Sequence, residues 1–305
     1  MVDLSLILTT LSYRAQWLVV IILVAFVVGE LVARGSFMAT LASAINARIA
    51  TLGRKLDRTQ RSVATRVYRG IITLFILLIP SLLVGIALSQ HQAWVEWLSL
   101  LVLIAAFGQA LSTFHLARLG REAARGTLKL EIPGLSFLFA DTHAVMRYAI
   151  LTSAQHFAVG VVGTNFWYLV GGMPLALAYL TLATARRHYT TPAFGWAVRS
   201  VFQLLNIIPH AIAVALLCLA GLFVVKGRPL AVRKAKQFHG VIAYVLGISL
   251  GGRLPTGELP WEGTGTAKVE PTHLLRWLLL RTVATLLLML LLATPEIVKL
   301  LNVMS

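Results

Sequence analysis

The sequence predicts an all-α polytopic membrane protein, and three observations predict it. Of 305 residues, 58% are hydrophobic and 12% charged, about half the charge of an ordinary soluble domain. The apolar residues gather into runs close to the roughly 20 residues a helix needs to cross a bilayer core. The basic residues gather between those runs, as the positive-inside rule requires of a multi-pass protein. A mean hydropathy of +0.82 excludes a soluble globule, and it excludes disorder, because so apolar a chain buries enough surface to offset its ordering entropy. The 27 Lys and Arg against 11 Asp and Glu give a net charge of +16, which in a soluble protein would suggest nucleic acid. Here the clustering assigns the charge to an anionic inner leaflet, so the expected partner is the bilayer and not nucleic acid. The single cysteine, Cys218, excludes an intramolecular disulfide and reads as lipid-facing or packing filler.

The elements follow in order. Trp17 to Ala33 is an apolar stretch with Glu30 in its last turn, an anchor rather than a cleaved leader. Arg34 to Arg69 holds eight basic residues and one acid, Asp57, and is expected in the cytoplasm. Gly70 to Leu88, Trp97 to Phe114 and Phe166 to Ala185 read as spans. The polar stretch His115 to Arg147 reads as a short cytoplasmic helix and a loop at Pro133. Pairing Tyr148 to Gly163 with the next span keeps Arg186 and Arg187 on the basic side. Val201 to Val225 is long enough to cross, yet Asn206, Pro209 and His210 interrupt it, and a simple crossing puts Lys226 to Lys236 on the wrong side. A broken or re-entrant segment at Pro209 is therefore expected, of the kind tolerated at membrane depth only beside protein or a water-filled cavity. Gly251 to His273, rich in Gly and Pro, reads as a loop with little regular structure. Thr282 to Ala293, extended upstream by Trp277 to Leu280, closes the bundle. Residues 1–305 read as one domain.

Chemistry is sparse. There is no GxxxxGK[ST], no GxGxxG, no HExxH and no paired-cysteine motif. The eight histidines are scattered, and His156 and His210 stand out because a polar group in an apolar segment is costly unless paired or facing a cavity. Phe166, Trp167 and Trp196 read as packing or interfacial aromatics. Gly171, Gly172, Gly251 and Gly252 read as sites of close helix approach or turns. Asn206 beside Pro209 reads in part as a cap for backbone groups freed by the proline. A transporter finds no support, since no repeat is visible.

Six stretches resemble the CobD/CbiB family of cobalamin-pathway membrane proteins. They are GREAAR (120–125) with Ala140-Asp141-Thr142, RYAILTSAQH (147–156), GVVGTNFWYLVGG (160–172), Tyr179 to Tyr189, FGWAVRSVFQLLNIIPHA (194–211) and the late loop LGGRLPTGELPWEGTGTAKVE (250–270). The resemblance is strongest over residues 100–295. The acidic signature of that family is nearly absent here. Gln155 and His156 stand where it has Glu-Asn, and Val159 where an Asp follows. Ala183 and Arg186 stand for an Asn and an Asp, and Phe202 and Gln203 for a pair of Asp. The chain also resembles AmpE, a membrane protein of the same superfamily that keeps the framework without the acids.

The resemblance implies an adenosylcobinamide-phosphate synthase-like ligase of the inner membrane, joining an aminopropanol unit to an adenosylcorrin carboxylate with ATP and Mg2+. It implies a corrinoid ligand and cobalamin-pathway membrane proteins as partners. The residues it marks as catalytic are Asp141, Gln155, His156 and Asn206. Those marked for substrate or phosphate are Arg125, Thr142, Arg147, Thr184, Arg186 and Arg187, and the metal ligands stay open. Arg186, standing where the family has an acid, would neutralise phosphate directly instead of through a cation. The alternative is a non-catalytic, AmpE-like membrane sensor or scaffold.

Overall fold

The computed structural model describes residues 11, 13–25, 36–90, 93–108, 121–122, 125, 142–224, 229–254 and 257–304. Its elements are α1 (Tyr13–Ala25), α2 (Ser36–Leu56), α3 (Val63–Gln90), α4 (Ala93–Gly108), α5 (Thr142–His156), a π-helical stretch (Phe157–Gly163), α6 (Thr164–His188), α7 (Trp196–Val224), a 3-10 turn (Pro229–Lys234), α8 (Phe238–Leu246), β1 (Leu250–Leu254), β2 (Gly257–Glu262) and α9 (Pro271–Met304). The expected all-α membrane bundle is what forms. Among the described residues, four helical runs are long and apolar enough to cross a bilayer: Val63–Gln90, His143–His188, Trp196–Phe223 and Pro271–Thr294. Their outward faces carry large apolar side chains such as Phe75, Ile79, Leu83, Leu204, Ile207, Leu286 and Leu290, which suit lipid and would be an aggregation hazard in water.

The chain packs as two compact units, one of Met1–Ala110, Ala158–Ala211 and Leu291–Ser305, the other of Leu111–Phe157 and Ile212–Leu290. Neither is a continuous stretch of sequence.

In the first unit the decisive feature is a fold-back within α6. Gly171 (φ −138°, ψ 17°) and Gly172 (φ 68°, ψ −158°) leave the helical region, a conformation open to glycine at little steric cost. Gly163 lies against the Tyr179 ring, whereas residues 16 apart in a straight helix are separated by about 24 Å. The run therefore reverses, and residues 158–170 and 173–188 form an antiparallel pair. The sequence expects Tyr148 to Gly163 to pair with the next span; the pair that forms is instead 158–170 with 173–188, turning at Gly171–Gly172. Phe166 to Ala185 is thus two legs and not one crossing. Pro174 suits the first turn of the second leg, where its missing N–H costs little. The Leu169 carbonyl at the end of the first leg accepts a hydrogen bond from Arg14 Nη1 of α1 (3.2 Å).

The second leg packs antiparallel to α3, Gly85 against Pro174 at one end and Gly70 against Phe194 at the other. The core between α2, α3, α6 and α7 includes Ile49, Leu74, Tyr179, Leu182, Phe194, Val198 and Phe202. Trp17 of α1 stacks on Trp97 of α4 (centroids 3.8 Å apart).

The break expected at Pro209 is not there, because α7 continues through it from Trp196 to Val224. Proline removes the N–H that would bond the carbonyl four residues back, here that of Leu205. Trp167 Nε1 donates to that carbonyl instead (3.2 Å). The polar group freed by Pro209 is satisfied by a neighbouring helix, so α7 has no need to unwind.

In the second unit, Gly251 to His273 is more ordered than the sequence suggests. Residues 250–254 and 257–262 pair antiparallel, with Leu250 opposite Glu262, Gly252 opposite Leu259 and a bulge between. Gly251 and Gly252 sit at φ 149° and 85°, and a Cβ on Gly252 would strike the Trp261 ring. The glycines that suggested a loop serve this bulge. The Glu262 carboxylate accepts from the backbone N–H groups of Lys236 and Gln237 (3.2 and 3.4 Å), the orphan donors ahead of α8. His239 Nε2 donates to the Pro260 carbonyl (3.0 Å), which ties the hairpin to α8. Helix α9 begins at Pro271. Of the remaining expectations, Trp17 to Ala33 is described as helix as far as Ala25, and Trp97 to Phe114 as far as Gly108. Pro133 and most of His115 to Arg147 lie outside the described residues.

The replacement bond across α6 and α7 makes a prediction. Trp167→Phe leaves the Leu205 carbonyl unsatisfied and is expected to cost about 1–3 kcal/mol in thermal or denaturant unfolding of the detergent-solubilised protein. In a Pro209→Ala background, where an N–H returns to that carbonyl, the same change should cost about 1 kcal/mol less. Equal costs in both backgrounds would show that the indole contributes only packing.

Candidate functional site

In the first unit, α6 and α7 bring a set of polar and aromatic side chains to one face. Tyr179, Ala183 and Arg186 recur at helical spacing on the second leg of α6, and Phe202, Asn206 and His210 recur on α7. The Tyr179 and Phe202 rings stack (centroids 5.4 Å, planes 24° apart). Tyr179 donates its hydroxyl proton to Asn206 Oδ1 (2.7 Å). This bond fixes the amide orientation, so Asn206 keeps its N–H2 as a donor. The Arg186 guanidinium carbon lies 4.9 Å from the centroid of Phe202, within cation–π range. Asn206 is therefore held by a phenol from another helix, and it does not cap the backbone at Pro209.

The face is electropositive. Arg186, Arg187 and His188 form the last turn of α6. Cations there also complement the helix dipole, which is a sufficient structural reason for some of them. The dipole does not explain Arg199. Its Nη1 donates to the carbonyls of Tyr189 and Thr190 (2.8 and 3.2 Å), and its Nη2 to those of Thr191 and Pro192 (3.1 and 2.7 Å), so one guanidinium pins the whole connection between α6 and α7. Asp57 is fully engaged, accepting from Arg66 Nε (3.0 Å) and from the Thr191 hydroxyl (2.5 Å). Arg54, Arg58 and Arg61 remain exposed around it. The arrangement suits an anion.

The other sequence-marked residues are placed as follows. Thr184 is buried in α6, and Arg187 is exposed beside Arg186. In the second unit, Gln155 is exposed and His156 buried at the end of α5. Arg147 is buried, 8% exposed. Its Nη1 donates to the Ala267 carbonyl (2.8 Å) and its guanidinium lies 5.2 Å from the Trp261 ring centroid, so it holds the segment after the hairpin. Thr142 opens α5. Arg125 is an exposed turn residue whose backbone N–H bonds the Arg121 carbonyl (3.1 Å). Asp141 lies outside the described residues. The structure thus joins Asn206 and Arg186 in one contact set through Tyr179 and Phe202, with His210 one helical turn beyond Asn206 on α7.

Sequence reasoning gave no role to Tyr179 or to Arg281. Arg281 is buried in the apolar part of α9, its Nη1 donating to Ser153 Oγ of α5 (2.9 Å). A lone charge inside a run of leucines was the available signal. Tyr179 offered none, since a tyrosine at helical spacing is usually core.

The chain is 30% identical over 204 residues to the cobalamin biosynthesis protein CobD of Rhizobium meliloti (strain 1021), a match covering 61% of this chain and 62% of that protein. It is 33% identical over 189 residues to CobD of a Sinorhizobium species, covering 57% and 58% respectively. To CobD of Sinorhizobium fredii (strain NBRC 101917 / NGR234) it is 30% identical over 190 residues, covering 56% and 58%. The chain is a divergent relative of CobD. The match spans about three-fifths of the length of these curated relatives. No family model and no solved structure matches. The CobD relationship gives the Arg186–Phe202 contact its interest, because both positions correspond by resemblance to acids and the fold makes them neighbours.

Tyr189 sets a pH test for this end of the bundle. Its buried hydroxyl donates to the Ile49 carbonyl (3.2 Å), and burial pushes its pKa up from 10.0 to about 12. The folded state therefore favours the neutral phenol, and this contribution is complete below pH 10 and lost as pH rises from 10 to about 12. Tyr189→Phe is expected to lose about 1 kcal/mol at pH 7 and to show a shallower alkaline fall in unfolding midpoint than the parent protein.

Proposed function

We propose that this chain acts in cobalamin biosynthesis as a CobD-type protein of the inner membrane, ligating an aminopropanol unit to an adenosylcorrin carboxylate. The observation that carries the reading is the 30–33% identity to three CobD proteins. The face at Asn206 and Arg186 supports it by offering what such a reaction needs near a carboxylate and a phosphate. Asn206 presents amide donors oriented by Tyr179. Arg186 and Arg187 neutralise phosphate charge, which a guanidinium does through paired, charge-assisted hydrogen bonds. ATP would supply the activation that turns a carboxylate into an acyl donor. The corrinoid is the ligand, and other membrane proteins of the same pathway are the partners.

A resident Mg2+ finds no ready-made cluster among the described residues. Among the described residues no three carboxylate, imidazole or thiolate groups gather to hold a metal. Asp57 is spent on Arg66 and Thr191, and Glu262 on the start of α8. Arg186 is the proposed substitute: a fixed positive charge, packed on Phe202, in the region where the relatives by resemblance carry acids.

A second reading, a non-catalytic AmpE-like sensor or scaffold, is favoured by the same acidic losses, at Gln155, Val159, Arg186, Phe202 and Gln203. Binding needs only the face, whereas ligation needs turnover. One experiment separates them: expression in a strain lacking its own cobinamide synthase, scored for cobalamin-dependent growth. Rescue by the parent protein is expected, with synthase activity lowered about tenfold or more in Arg186→Gln and Asn206→Ala at equal membrane abundance. Asp141→Ala tests the remaining acid beside the site-marked residues. No rescue by protein folded in the membrane would establish the non-catalytic reading.

A further inference from the structure

A separate feature of the basic end carries its own inference. Where the last turn of α2 meets the connection between α6 and α7, an open cleft of about 390 Å³ is lined by Gly53, Arg54, His188, Thr190, Thr191 and Phe194, among others. We propose that this cleft binds the phosphate of an anionic lipid headgroup. The inference does not depend on the enzymatic reading.

Five observations support it. The cleft's acid, Asp57, has both carboxylate oxygens occupied, one by Arg66 and one by Thr191, so it does not repel an anion as a free carboxylate would. The carbonyls that a helix end and a turn would otherwise present are also occupied. Asp57 N–H takes the Gly53 carbonyl (2.8 Å), and Arg199 takes those of residues 189–192. What remains for a ligand is one positive charge and two neutral polar groups: the exposed Arg54 guanidinium, steadied by Thr51 Oγ1 (3.1 Å), together with the His188 imidazole and the Thr190 hydroxyl.

The walls are fixed. A Cβ on Gly53 would collide with the Tyr189 ring, and Tyr189 is itself anchored to Ile49. A preformed site loses less freedom on binding than a floppy one. The depth is appropriate as well. His188 ends the second leg of α6 and Trp196 begins a membrane-length helical run, so the cleft lies at the end of a spanning helix. That is where lipid phosphates reside and where basic side chains meet the anionic leaflet.

The test uses the full-length protein in a neutral detergent, titrated with phosphatidylglycerol or phosphatidylcholine and read by native mass spectrometry of retained lipid and by thermal unfolding. Parallel arms contain inorganic phosphate or glycerol 3-phosphate. The variants are Arg54→Gln and His188→Gln, with the exposed Arg233→Gln as the control outside the cleft. Phosphatidylglycerol is expected to be retained over phosphatidylcholine, with Arg54→Gln weakening binding about tenfold, a loss equivalent to 1.4 kcal/mol. Arg233→Gln should leave binding unchanged. Stabilisation by glycerol 3-phosphate equal to that by the lipid, lost in the same two variants, would keep the phosphate site and assign it to a soluble ester. Equal retention by the parent protein and both cleft variants, or an equal loss in Arg233→Gln, would overturn it.

Discussion

Inside hydrocarbon a backbone carbonyl or N–H has no water to fall back on, and each unsatisfied group costs several kcal/mol. The first unit carries two helix-breaking sites, Gly171–Gly172, where the helix turns back, and Pro209, where it continues, and in each case a side chain from another helix meets a nearby carbonyl. Arg14 bonds that of Leu169, and Trp167 bonds that of Leu205. The rest of the unit depends on these two repairs. The fold-back brings the second leg of α6 alongside α3 and sets Tyr179 beside α7. The repaired Pro209 keeps α7 helical, so that Phe202, Asn206 and His210 hold their spacing on one face. Without the first, Tyr179 and Asn206 would not meet; without the second, the face would lose its register.

This also explains which parts of the fold were legible in the sequence. Length and hydropathy fix the existence of spans, because bilayer thickness is a strong and non-specific constraint. The location of a break is decided by which partner supplies the missing hydrogen bond, and that partner is distant in sequence. Pro209 is the stronger helix breaker by intrinsic propensity, yet the indole 42 residues upstream neutralises its effect. Gly171 and Gly172 are weaker breakers, yet they turn the chain because Gly172 takes a positive φ. The late hairpin was hidden for a related reason. Gly251 and Gly252 read locally as loop residues, and only the opposing Trp261 shows that they serve a bulge. At the site, Asn206 and Arg186 were found because they sit in motif positions, whereas Tyr179 owes its role to a contact spanning 27 residues. Arg147 shows the reverse: a basic residue in a motif stretch whose guanidinium is already engaged with Ala267 and Trp261.

The Arg186–Phe202 contact bears on how a metal-dependent face could become a metal-independent one. Two acids on adjacent helices without a cation repel each other and resist ionising together. Losing one leaves the other unpaired in a poorly solvated place. Replacing one by arginine and the other by an aromatic ring removes the repulsion and supplies a fixed cation with a surface to rest on. The two changes are physically coupled, since Phe202 at the arginine's side supports the charge where an aliphatic residue would only exclude water. A guanidinium cannot imitate every property of a divalent ion: it neither lowers the pKa of a bound water nor coordinates two oxygens at short metal distances. It can hold an anionic oxygen and orient it.

That difference limits the chemistry this face can perform unaided. If Arg186 replaces the cation only in binding, the chain keeps the ligand and loses the turnover, as the non-catalytic reading requires. If the reaction is held back mainly by positioning and charge neutralisation, as phosphoryl transfer is, a guanidinium with an oriented amide beside it meets much of the need. Arg199 favours the second alternative. A binding face on a sensor can rest on a mobile connection, because affinity tolerates adjustment, whereas a reacting geometry does not. Here one guanidinium spans four consecutive carbonyls between α6 and α7, holding the ends of the two helices that present Arg186 and Asn206. That rigidity is what a positioning mechanism would demand, and it is built from a residue whose guanidinium is spent on backbone carbonyls.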